Sequence, residues 1–345
     1  MNKKRIDYLD VAKGIGIILV ILGHLVCYNS KLSCIIFSFH MPLFFFISGI
    51  LYRDKDSRFF DFIKHKCKTL LVPYLCFWFI ALLFFIVKGI IKEFNVKELF
   101  YDVYTGAPNQ YYMGSIWFML SLFFVELLFY ICYKKLKNVN QIIIIISLFI
   151  LAYLGANIYK LGNFCKGGVL PLQLSSVPMG LFFYSLGFLL KNEFQTEAFK
   201  QQKCKIFLIV AVITLGISWT NGWVNIAVPQ YNNFFNYIFF ALSGIIFIII
   251  LSLWVKNGKI LNFVGRNSMI IFSLHGIFIK VYELILKKIT GYSVVGGNNM
   301  NFIQSIIGTI FVLLVLSLII YIIFLIKKHL NKHFEKSKQE MKGKC

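Results

Sequence analysis

Apolar runs long enough to cross a bilayer recur along the whole of this 345-residue chain. A membrane span requires about 20 consecutive, mostly apolar helical residues. Charged residues make up only 14% of the chain, against about 25% in an ordinary soluble domain. The sequence therefore predicts an all-α, polytopic membrane helical bundle with about ten transmembrane helices. The ten runs lie near residues 10–28, 34–52, 70–90, 115–133, 141–159, 171–190, 206–224, 234–255, 266–286 and 302–326.

The net charge of +22 is distributed unevenly along the chain. With ten spans and a cytoplasmic N-terminus, 26 of the 36 lysines and arginines fall in inner loops and tails, and eight fall in outer loops. Because positive residues favour the cytoplasmic side, both termini are predicted to be cytoplasmic. The basic excess then contacts anionic membrane lipids, so no nucleic-acid partner is expected.

Two ionisable residues lie within the first apolar run, Lys13 and His24. Eleven helical residues correspond to three turns plus roughly 20°, so the two side chains share one face about 16 Å apart along the axis. Ionisable side chains are costly in a bilayer and indicate a functional site. Asp10 is expected to pair with Lys13 at a separation of three residues or to position it.

Further ionisable residues are predicted to gather near His24. His40 follows the turn between the first two helices, so an antiparallel hairpin brings it to a similar depth. His275 and Glu126 lie within later apolar runs at middle to outer depth. These four residues predict a shared polar cavity. Interhelical hydrogen bonding is the structural alternative for the same residues.

The segments RIDYLDVAKGIGIILVILGH, FSFHMPLFFFISGILY and KTLLVPY resemble the acyltransferase-3 family of multi-pass bacterial membrane O-acyltransferases. Within that family, the chain is most similar to the fucose O-acetyltransferase-like branch. The family carries a basic residue, ten residues and then a histidine in its first helix, which Lys13 and His24 match. Where the family often has an Arg-x-x-Arg pair, this chain has Lys64, Lys66 and Lys68. Lysine is a weaker match, because it binds phosphate as a point charge and not through a two-pronged fork.

The resemblance implies an acyltransferase-3-like transmembrane domain over residues 1–326, followed by a basic cytoplasmic tail at 327–345. It implies a protein of the bacterial cytoplasmic membrane that transfers an acyl group, expected to be acetyl, from acyl-CoA. The implied acceptor is a hydroxyl of a cell-surface glycan or of its lipid-linked precursor. His24 and His40 are then the catalytic candidates, and Lys13, Lys64, Lys66 and Lys68 the candidates for binding the donor.

Histidine suits acyl transfer because its neutral imidazole can take a proton from a hydroxyl that attacks a thioester. A transient acyl-histidine is the covalent alternative. Helix breaks at Ser48-Gly49 and around Asn267 are candidate donors to the oxyanion. The sequence contains no GxSxG, HExxH or P-loop motif, and its eight cysteines have no metal-ligand spacing, so no metal is expected.

A transporter that uses the same embedded histidines is the second class of function that this pattern allows. Paired Gly or Pro breaks in corresponding halves would favour transport, and the sequence lacks them. The longest outer segment, residues 91–114, is predicted to be an interfacial helix followed by a loop, or else a sugar-binding lip formed by its tyrosines.

Overall fold

The computed structural model describes residues 7–53, 58–88, 103–105, 116–136, 139–161, 170–195, 204–255, 258–291 and 300–342, and it is helical throughout apart from turns and one isolated β-bridge. Twelve α-helices are distinguished in this part of the chain. They are α1 Asp7–Leu25, α2 Lys31–Ile50, α3 Phe59–Lys66, α4 Val72–Val87, α5 Trp117–Leu136, α6 Gln141–Leu161, α7 Val177–Leu190, α8 Cys204–Ile217, α9 Phe234–Trp254, α10 Lys259–Arg266, α11 Ser268–Thr290 and α12 Phe302–Lys342.

Eight helical segments in the described residues are long and apolar enough to cross a membrane, and two shorter apolar helices accompany them. This confirms the predicted polytopic all-α bundle. Helices suit a bilayer because they satisfy every backbone polar group within the segment. The outward faces are apolar: α6 exposes Ile142, Ile146 and Ile150 along one stripe. Such a stripe is stable only where lipid covers it.

Several predicted boundaries of the membrane spans differ from the helix ends in the structure. The third span begins at Phe59, because α3 continues through a π-turn, Cys67–Leu71, into α4. The last helix runs without a break from Phe302 to Lys342, past the predicted boundary at residue 326. The predicted outer lip at 91–114 lies outside the described residues, except for 103–105.

Helix α2 lies in the middle of the bundle and packs most extensively against α7. The two backbones approach closely at a pair of glycines. A Cβ on Gly49 would clash with the carbonyl of Tyr184, and one on Gly187 would clash with the carbonyl of Phe46. Small residues allow this close packing, which drives helix association in membranes where burial from water cannot. Ser48-Gly49 is therefore a packing contact in the last turn of α2, which ends one residue later, at Ile50.

Helix α1 contacts α2, α9, α10, α11 and α12. Its closest neighbour is α10, where a Cβ on Gly14 would meet the carbonyl of Leu261 and one on Gly265 would meet that of Asp10. At the other end of α1, the Ser305 hydroxyl donates to the Leu25 carbonyl over 2.8 Å, so α12 begins beside the end of α1. These contacts arrange the helices that carry the ionisable residues around α1.

Candidate active site

Three histidines from three helices meet near the C-terminal end of α1. The rings of His24 and His275 have centroids 5.3 Å apart. Phe37 of α2 connects His24 with His40, with ring centroids 5.7 Å and 4.8 Å away, respectively. The hairpin of α1 and α2 and the neighbouring α11 thus bring together the three histidines that the sequence places within apolar runs.

His24 differs from the other two in its surroundings. His275 and His40 are 1% and 3% exposed, and the Nδ1 of each lies 2.6 and 2.8 Å from a backbone carbonyl of the preceding turn, Phe272 and Ile36. A carbonyl only accepts, so in both neutral rings Nδ1 donates and Nε2 is left unprotonated. His24 is exposed, and within the described part of the chain it makes no hydrogen bond. Neither of its ring nitrogens is therefore occupied by a described group.

Lys13 and Asp10 form an ion pair at the other end of α1. Lys13 Nζ lies 2.9 Å from Asp10 Oδ1, while Arg266 Nε approaches the second oxygen of Asp10 at 3.3 Å. Arg266 also reaches Asp7, with 3.4 Å between the nearest nitrogen and oxygen. The two carboxylates and the two cations of this cluster therefore carry no net charge together. The side chain of Asp10 is largely buried, so it holds two cations against α1.

Arg266 is the member of this cluster that sequence reasoning did not select. It ends α10, and Asn267 turns the chain into α11, the helix of His275. Its position just before an apolar run that carries an ionisable residue was the available signal. The long separation from Asp10 in sequence concealed the pairing.

The three lysines at the start of the third span do not form one group. Lys64 and Lys68 are exposed, whereas Lys66 forms an ion pair with Glu126 of α5 over 2.6 Å. Glu126 was predicted to share the histidine cavity, and the structure pairs it with Lys66 instead. Both side chains of the pair are largely buried, and a buried carboxylate requires a nearby cation to offset its lost hydration.

Ser48 and Asn267 hydrogen-bond within their own segments of chain. The Ser48 hydroxyl donates to the Phe44 carbonyl, and the Asn267 amide donates to the Phe263 carbonyl, each over 2.8 Å. Asn267 does occupy a break between helices, as predicted, and one of its two amide N–H donors is engaged by the Phe263 carbonyl. Neither residue contacts the three histidines through these bonds.

The described residues contain no group of three or more His, Cys, Asp or Glu side chains arranged to hold a metal ion. The side chains that meet at the end of α1 are instead imidazoles and aromatic rings. This chemistry suits proton transfer at neutral pH and packing against an uncharged substrate.

Comparison with known proteins gives a match to one family. The family model described as an acyltransferase domain, that of acyltransferase 3, covers residues 6–325. No curated protein and no solved structure matches the chain. The match extends from the start of α1 into α12, and so includes every helix that carries a histidine, lysine or acid discussed above. A transferase of acyl groups is thereby favoured over a transporter, and the chain belongs to the acyltransferase-3 family of membrane proteins.

Proposed function

We propose that this protein is an O-acetyltransferase of the bacterial cytoplasmic membrane, within the fucose O-acetyltransferase-like branch of its family. Acetyl-CoA is the donor, and the acceptor is a hydroxyl of a cell-surface glycan or of its lipid-linked precursor. The single observation that carries this proposal is the exposed ring of His24, which lies beside His275 and on the same α1 stripe as Lys13.

His24 acts as the general base in this proposal. Its neutral imidazole takes the proton of the acceptor hydroxyl as the oxygen bonds to the thioester carbonyl carbon. The tetrahedral intermediate then collapses, the carbon–sulfur bond breaks, and the CoA thiolate leaves with the proton from the imidazolium. His275 and His40 form the fixed surroundings of His24, because each of the two rings is hydrogen-bonded to the backbone of its own helix. Direct attack of His24 on the thioester, giving an acyl-histidine, is the covalent version of the same step.

The donor and the acceptor approach from opposite sides of the membrane in this proposal. Lys13 and His24 are about 16 Å apart along α1, a separation that the extended pantetheine arm of CoA would span. The nucleotide then lies at the cytoplasmic end, where Lys64 and Lys68 are exposed. Asp10 and Glu126 pair with Lys13 and Lys66 and offset their charge, so the exposed Lys64 and Lys68 supply the net attraction for the nucleotide.

Exposed lysines attract an anionic nucleotide through charge, and salt screens that attraction over about 10 Å at 0.1 M. We therefore expect Lys64→Gln with Lys68→Gln to raise the KM for acetyl-CoA and to weaken its dependence on salt. The matched control is Lys287→Gln with Lys288→Gln, an exposed pair near the C-terminal end of α11. An unchanged KM in the first variant would mean that the donor enters elsewhere.

The acceptor is identified by mass spectrometry of surface glycans from cells with and without the chain. The proposal predicts acetyl esters that appear only when the protein is present and that disappear with His24→Ala. Identical glycan spectra from both cell lines, with the protein present in the membrane, would contradict it.

A further inference from the structure

A series of aromatic rings leads from His24 to the surface at the end of α1. Phe37 contacts His24, and Trp223 contacts Phe37 with ring centroids 5.1 Å apart. Tyr28 lies next to Trp223, at 4.8 Å, and its side chain is 54% exposed. Trp223 is itself half-buried, so part of its ring is accessible one aromatic side chain away from His24.

Trp223 belongs to the connection between α8 and α9, which folds back on itself. Asn225 and Gln230 exchange two backbone hydrogen bonds of 2.8 and 3.0 Å. The Asn232 amide donates to the carbonyls of Asn221 and Trp223, over 2.6 and 2.9 Å. A positive φ of 72° at Gly222, which glycine adopts without strain, allows the chain to turn just before the tryptophan.

These hydrogen bonds use the backbone of Trp223 and leave its indole ring uninvolved. The loop therefore holds the backbone of Trp223, while its ring packs against Phe37 and Tyr28. A preorganised aromatic surface loses little conformational entropy when a ligand binds. The indole does not cap the hydrophobic core either, since part of its face stays accessible beside the exposed Tyr28.

We propose that Trp223, together with Tyr28, is the acceptor subsite, on which a sugar ring stacks while its hydroxyl faces His24. This inference rests on the proposed function and names the group that binds the acceptor. The C–H face of a pyranose is apolar and packs against an aromatic ring, whereas its hydroxyls point outward around the rim. A neutral sugar therefore fits rings that lie against a proton acceptor.

The charge around these rings supports a neutral sugar as occupant. Lys31, three residues after Tyr28 in the chain, places its ammonium 4.5 Å from the centroid of the Trp219 ring. The two side chains whose rings contact the indole, Phe37 and Tyr28, are not cations and offer a phosphate or carboxylate no ion pair.

The test measures transfer from acetyl-CoA to methyl glycosides of fucose, glucose and N-acetylglucosamine by the purified protein. We expect Trp223→Ala to raise the KM for the accepted glycoside on the order of tenfold, with the KM for acetyl-CoA unchanged. Trp223→Phe retains a stacking surface and should remain near the wild-type KM. Trp254→Ala is the control, because Trp254 is a more exposed tryptophan that ends α9, at the opposite end of that helix from Asn233.

A binding measurement separates this subsite from the chemistry. In a His24→Ala background, the glycoside should change tryptophan fluorescence, and Trp223→Phe should abolish the change. If Trp223→Ala does not fold, Tyr28→Ala replaces it as the variant that should raise the acceptor KM, with Trp223→Phe as the variant that should not. An unchanged acceptor KM in Trp223→Ala, while His24→Ala is inactive, would overturn the subsite alone. Full activity of His24→Ala would overturn the proposed function. Absence of both binding and transfer with all three glycosides would overturn the sugar assignment.

Discussion

At the scale of single residues, exposure and hydrogen bonding distinguish His24 from its two neighbours. His275 and His40 are buried and bound to backbone carbonyls, so their rings are anchored within the bundle. His24 has an accessible ring in a setting where the bilayer penalises charge. Its imidazole, hydrogen-bonded to no described group, can take up a proton and release it within one turnover.

Asp10 is the residue on which the charged cluster of α1 depends. Asp10→Asn removes the carboxylate that Lys13 and Arg266 share. We expect a loss of about 2 kcal/mol in the free energy of unfolding, the range for hydrogen bonds to charged groups. Unfolding in mixed micelles measures it. Asp7→Asn is the control, because that exposed acid makes one longer contact, and it should cost less than about 1 kcal/mol. Equal losses in both variants would contradict the shared role of Asp10.

At the scale of elements, the contact between α2 and α7 determines where His40 lies. Gly49→Ala places a methyl group against the carbonyl of Tyr184, which cannot move away as a side chain would. We expect a destabilisation of about 1–3 kcal/mol or more, as for an overpacked core.

Gly216→Ala in α8 provides the control for this substitution, because a Cβ there meets nothing within 4 Å. Thermal unfolding of the purified variants in detergent compares the two. Gly216→Ala should be neutral or slightly stabilising, since alanine favours helix over glycine by up to about 1 kcal/mol. If Gly49→Ala were as stable as Gly216→Ala, the close contact between α2 and α7 would not exist.

Most of the long helices could be predicted from the sequence, because an apolar run long enough to cross a membrane can form little besides a helix. The pairing of Asp10 with Lys13 was also accessible, since it is local to one helix turn. The pairs Lys66–Glu126 and Arg266–Asp10 were not, because they depend on which helices become neighbours. The packing role of Gly49 was not predictable for the same reason, since its partner Tyr184 lies on another helix.

At the scale of the whole molecule, the distribution of positive charge predicts the orientation. Cys27 is exposed near the His24 end of α1, which the proposal places outside the cytoplasm. In variants with one cysteine each, we expect a membrane-impermeant maleimide to label Cys27 on intact spheroplasts. A cysteine introduced by Lys64→Cys should react only after permeabilisation. The reverse pattern would invert the topology and the proposed direction of donor entry.

The central claim concerns His24, and its most direct test is turnover by the purified His24→Ala protein. Loss of a general base typically lowers the rate by roughly 10²–10⁴-fold, so we expect acetyl transfer to fall by that factor while membrane insertion and thermal unfolding stay unchanged. His40→Ala should show a similar or smaller loss, and His329→Ala, in the distal part of α12, should match the wild type. Near-normal acetyl transfer by His24→Ala would contradict the account, because His24 would then be a structural residue.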